Sequence, residues 1–99
     1  MSGPKAKQRI LHLALEREWF DDIARGVQRK EYRKYKPYWK KRLEGRTFDV
    51  VKFRNGYASD APEMIVEYRG LQRASSSPTA DYVIRLGKVL RITRWRSDG

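Results

Sequence analysis

The stretch FDVVKFRNGYASDAPEMIVEYRGLQRASSSPTADYVIRLGKVLRITRW, Phe48 to Trp95, decides the fold. Its β-branched and aromatic residues fall into runs at Phe48–Arg54, Met64–Leu71, Tyr82–Leu86 and Lys88–Trp95, each short enough for a strand. Asn55-Gly56 is a turn signal, because both residues tolerate the left-handed conformation a tight hairpin needs. Residues 72–81, with Ser75, Ser76, Ser77 and Pro78, read as a loop. Toward the N-terminus, Leu11, Leu13 and Leu15 alternate along a further strand, with His12 and Ala14 on its other face. From Glu16 the period changes: Trp19, Phe20, Ile23 and Val27 recur at spacings of three and four, with Glu16 and Glu18 in the first turn of the predicted helix. Arg25 and Gly26 end it, since glycine takes the left-handed stop without steric cost. Val27–Arg33 reads as a short strand, and Pro37 opens a second helix that ends at Gly45. The expectation is an α+β fold: a small, partly closed β-barrel of five or six strands with one or two short helices, closure removing exposed sheet edges. Residues 9–96 form one domain in this reading, after a flexible basic arm over residues 1–8.

Composition narrows the function. The 99 residues hold 23 Lys+Arg against 12 Asp+Glu, a net charge of +11, with pI near 10.3 and mean hydropathy −0.86. Such a field attracts polyanions, nucleic acid foremost, with an acidic protein partner as the alternative. No run approaches the roughly 20 apolar residues of a spanning helix, so no membrane partner is expected. The opening MSGPKAKQR lacks a secretory apolar segment, which makes a cytoplasmic protein the default expectation; a monomer is expected. With no cysteine and His12 as the lone histidine, thiolate chemistry and His-rich metal sites are excluded, and neither a metal nor a cofactor is expected.

The charge is concentrated in RKEYRKYKPYWKKRLEGR, Arg29 to Arg46, which carries nine basic residues against Glu31 and Glu44. Arg29, Lys30, Arg33, Lys34, Lys36, Lys40 and Lys41 are candidates for phosphate neutralisation. Tyr35, Tyr38 and Trp39 are candidates for stacking on unpaired bases. Burial is the competing reading, favoured for Tyr32 and evenly matched for Trp39. Glu31, alone among cations, reads as an ion-pair partner that fixes Arg33 in a cleft, with its pKa lowered by that pairing. If the protein is an enzyme, Lys30 and Glu31 are the acid–base candidates, with Glu67 as a second carboxylate. A second basic set, Arg85, Lys88, Arg91, Arg94 and Arg96, surrounds Trp95; alternation places Arg91 on the side of Trp95 and Arg94 opposite. His12 reads as a rim residue, Asn55, Gly56 and Tyr57 as hairpin residues at a barrel mouth, and Met64 as core filler.

Three segments, LHLALEREWFDDIARGVQRKEYRKYKPYW, FDVVKFRNGY and YVIRLGKVL, resemble the ASCH family of the PUA-like superfamily, over Ile10 to Ile92. The family motif G-x-K-x-x-E-x-R is matched by Gly26, Glu31 and Arg33, with Gln28 at the lysine position. The resemblance implies a PUA-like barrel and a cleft shaped by Gly26, Gln28, Glu31 and Arg33 beside the first helix, suited to single-stranded or structured RNA or to a nucleotide. It also implies an alternative, a small hydrolase acting on N4-acylated cytidine or on RNA. The family's amidohydrolase pattern uses the lysine and an adjacent threonine, where this chain has Gln28 and Arg29.

Overall fold

β1 (Ile10–Ala14) follows the leucine alternation: Leu11 and Leu13 are buried and His12 between them is exposed. The computed structural model describes residues 8–96, so most of the expected 1–8 arm lies outside the described residues. α1 (Arg17–Ala24) buries Phe20 and Ile23. Its end is the expected one. Gly26, at φ +77°, donates its N–H to the Ile23 carbonyl, a conformation that carries little penalty only for glycine. Val27 lies beyond that stop and is 74% exposed, so it is not part of the helix's apolar stripe.

β2 (Lys30–Arg33) is shorter than the predicted Val27–Arg33, because the end of α1 consumes the preceding residues: the Asp22 carbonyl accepts both the Val27 and Gln28 N–H groups. α2 (Pro37–Leu43) has Pro37 in its first turn, where the missing N–H costs nothing, and buries Leu43. β3 (Val50–Arg54), β4 (Glu63–Arg73) and β5 (Tyr82–Thr93) complete a sheet of order β1-β3-β4-β5-β2. β1 runs parallel to β3, and the other pairings are antiparallel.

The two runs expected at Tyr82–Leu86 and Lys88–Trp95 form the single strand β5. Gly87 reads as a break in the sequence but marks a close approach instead. A Cβ there would fall on the Glu67 carboxylate and the Arg69 guanidinium, which lie across β5 from β4. Register shifts near Ile65, Val66, Tyr68 and Gly70 add twist to the β4–β5 ribbon, and the sheet curls into a half-barrel. One face packs Leu11, Leu13, Val51, Phe53, Met64, Val66, Ile84 and Leu86 against Phe20, Ile23 and Leu43 from the helices.

β1 and β2 are the edges of this half-barrel. Side chains from β2 and α2, not a backbone ladder, close the gap along β1. Arg33 on β2 donates from Nη2 to the Ala14 carbonyl of β1 at 3.0 Å, and Arg42 on α2 donates to the His12 carbonyl at 3.3 Å. Exposed strand edges invite pairing with other chains, and these two guanidinium groups occupy that edge.

Candidate functional site

Paired residues on neighbouring strands share a face, so the register alone defines two rows on the side of the sheet away from the core. One is His12, Lys52, Ile65 and Arg91; the other is Ala14, Arg54, Glu63 and Thr93. Over the β1–β3 half lies a hollow of about 340 Å³. Arg33, Arg42, Lys52 and Arg54 supply its charge, His12, Leu13 and Ala14 its β1 wall, and Tyr38, Trp39, Gly56 and Tyr57 its rim. No carboxylate is among these lining residues.

Trp39 organises the arginines. The Arg33 guanidinium carbon sits 4.8 Å and that of Arg42 5.5 Å from its ring centre. Tyr38 packs edge-on to Trp39 at 4.9 Å, and its hydroxyl accepts a hydrogen bond from Arg42 Nη1 at 2.6 Å. Cation–π contacts of this kind contribute about 0.5–2 kcal/mol and, more usefully here, hold long side chains in one orientation. On the opposite rim, Asn55 Nδ2 donates to the Leu15 carbonyl at 3.0 Å, fixing the turn that carries Tyr57. Tyr57 is 88% exposed and its ring makes no aromatic or cation contact among the described residues.

Glu31 is held by one of the lining residues: it is 4% exposed, with Arg33 Nη2 at 2.6 Å and Nε at 2.8 Å from its Oε2. The expected ion pair is present, but the expected pKa direction is reversed. Burial pushes the carboxyl above its ordinary range, and Arg33, which pulls it down, offsets this only in part. The Trp19 indole N–H is buried near the same carboxylate without a well-aligned partner.

Other expected site residues are spread more widely. Lys30 is exposed, opposite Arg85, and projects from the face of β2 away from Glu31. Glu67 is held by Arg69 at 2.9 Å and by the Lys88 N–H at 2.9 Å, with its pKa lowered first by that N–H and then by Arg69. Glu67 and Lys30 do not line the hollow. Gly26, Gln28 and Arg29 line a separate hollow of about 210 Å³ between the end of α1 and β5. Lys34 is 3.9 Å from Asp81. Lys36, Lys40 and Lys41 are exposed around α2. Tyr35 leans on Tyr82 at 5.6 Å and carries the Arg73 guanidinium 4.2 Å from its ring, so it faces inward. Tyr32, expected to be buried, is 42% exposed, because alternation in β2 puts it on the face opposite Glu31.

Arg94 also departs from its expected side. β5 ends at Thr93 and Arg94 takes φ +57°, so strand alternation no longer applies and Arg94 joins Arg91 in one groove. Trp95 turns the other way, donating its indole N–H to Asp21 Oδ1 on α1 at 2.8 Å. That bond is the leading reason the Asp21 pKa is lowered. Lys52 and Arg54 were not singled out in the sequence, where V-V-K-F-R is an ordinary half-buried strand. The signal for them is the alternation that sets both on one face, and it gains meaning only once β3 is known to lie beside His12.

Among the described residues no cluster of three or more potential metal ligands occurs, and no helix is long and apolar enough to cross a membrane. No protein-family model, curated protein or solved structure matches this chain.

Proposed function

We propose that this protein binds RNA, single-stranded or structured, or a nucleotide, through the hollow between α2 and the β1–β3 half of the sheet. The observation that carries the reading is the convergence of Arg33, Arg42, Lys52 and Arg54 on one concavity whose lining residues include no carboxylate. Arg33 is paired with Glu31, and Lys52 and Arg54 share Glu63, so the four cations meet two carboxylates and the positive charge left over favours an anion in the hollow. Tyr57 and Tyr38 add exposed rings at the rim, and a flat ring beside a phosphate site favours a nucleotide over a simple anion. The resemblance to ASCH domains points to the same ligand class.

Hydrolysis is the competing reading, but Lys30, Glu31 and Glu67 face three different surroundings, so binding without turnover is the stronger one. Fluorescence anisotropy with a labelled RNA tests it. Binding should weaken as salt rises, with a log–log slope of about −0.7 per phosphate engaged, and the Arg42→Gln and Lys52→Gln variants should each bind several-fold more weakly. A flat salt response, or variants that bind like the parent, would overturn the proposal. Incubation with N4-acetylcytidine and with labelled RNA should leave both unchanged, and product formation would replace a binding role with a catalytic one.

A further inference from the structure

The outer face of the sheet carries a second hollow, of about 500 Å³, over its β4–β5 half. Lys52, Glu63, Ile65, Arg91, Thr93 and Arg94 line it. Lys52 also lines the first hollow, so the two meet at one side chain. The register gives the direction of the path: His12, Lys52, Ile65 and Arg91 stand side by side across four adjacent strands. With strands spaced about 4.8 Å apart, that row is about 14 Å long.

From this continuity we infer that the ligand is a single-stranded polynucleotide several residues long, laid across the strands from the α2 cleft to Arg91 and Arg94, and not an isolated nucleotide. The inference rests on the binding function proposed above and extends its site. Arg91 and Arg94 have exposed side chains, and the left-handed turn at Arg94 brings both to the same groove. Glu63 is the one acid there; it lies 3.6 Å from Lys52 Nζ and 3.1 Å from Arg54 Nε, so its charge is already countered. Ile65 gives the floor an apolar patch between cationic stations, and Thr93 supplies a hydroxyl. Alternating apolar floor and flanking cations suit a strand of bases and phosphates, whereas a mononucleotide would fill the first hollow alone.

A length series of oligouridylates, from UMP through dimer and tetramer to octamer, measured by calorimetry at two salt concentrations, tests this. Affinity should rise at least tenfold from UMP to the octamer. The Arg91→Gln/Arg94→Gln double variant should lose most of that gain, lower the octamer's salt slope by about 1.4, and bind UMP like the parent. Arg85→Gln, which removes one charge on β5 outside both hollows, should leave the whole series unaltered. Thermal melts of each variant confirm that a loss of binding is not a loss of fold. Equal affinity for UMP and octamer, or a double variant that keeps the length dependence, overturns the inference while the cleft reading stands. A poly-glutamate peptide that binds as tightly as the octamer also overturns it. Failure of every nucleotide to bind the parent removes the cleft reading itself, and this inference with it.

Discussion

Removal of the Arg33 guanidinium would leave the Glu31 carboxylate buried without its counter-charge, the costliest simple change available at this site. Breaking one partner of a buried pair costs about 3–5 kcal/mol, whereas replacing both by apolar groups of similar volume is often neutral. Arg33→Ala is therefore expected to lose a few kcal/mol in a urea melt, and Glu31→Met/Arg33→Met to recover most of it. A loss from Arg33→Ala below about 1 kcal/mol, the range of surface pairs, would contradict this account. Tyr82 makes the complementary case for a neutral group. It is fully buried, its hydroxyl donates to Glu44 Oε2 at 2.5 Å, and its pKa is raised to about 12, chiefly by burial. Ionisation is easier in the unfolded chain, at the ordinary value of 10.0, so the stability this group contributes is intact below pH 10 and is lost as pH climbs toward 12. Tyr82→Phe should be less stable than the parent at neutral pH but fall less steeply over that alkaline window, as followed by circular dichroism.

Glycine in a strand interior is ordinarily a weakness, yet Gly87 allows β5 to run unbroken under the Glu67 and Arg69 side chains. Gly87→Ala should displace Glu67 from the Lys88 N–H and cost about 1–3 kcal/mol by leaving polar groups unpaired. Hydrogen exchange at the Lys88 amide would report the displacement, and an unchanged rate would contradict it. Elements whose signals are local were legible from the chain: the leucine alternation of β1, the Arg25-Gly26 stop of α1 and the Pro37 start of α2. Gly87 misled because the same residue that ends a strand in one setting admits a neighbour's side chains in another, and only the opposing strand distinguishes them. The side taken by Arg94 was illegible for a related reason, since alternation holds only while the backbone stays extended.

For the molecule as a whole, the parallel contact of β1 with β3 builds the cleft, and no residue announces it. Charge in Arg29 to Arg46 was plain in the sequence, but that segment sends Arg33, Tyr38, Trp39 and Arg42 to the hollow while Lys30, Lys34 and Tyr35 go elsewhere. Lys52 and Arg54 arrive from a separate strand, by long-range pairing that periodicity cannot express. Acid stability is likewise a property of the ensemble of sites. Asp21 and Glu67, with lowered pKa values, contribute stability that is lost as pH falls below the carboxylate range, whereas Glu31, with a raised one, opposes that loss. Glu31→Gln should therefore show a steeper acid limb than the parent in melts taken at successively lower pH, and a shallower one would reverse the assignment. The joining of β1 to β2 through Arg33, and to α2 through Arg42, has a further effect. A backbone ladder would tie the girth of the molecule to the fixed spacing of strands, while here the reach of an arginine sets it. Lysine is a poor replacement at position 33, since it has no planar fork with which to hold Glu31 and the Ala14 carbonyl at once; with Arg33→Lys the two rims of the sheet would drift apart even though every strand remained intact.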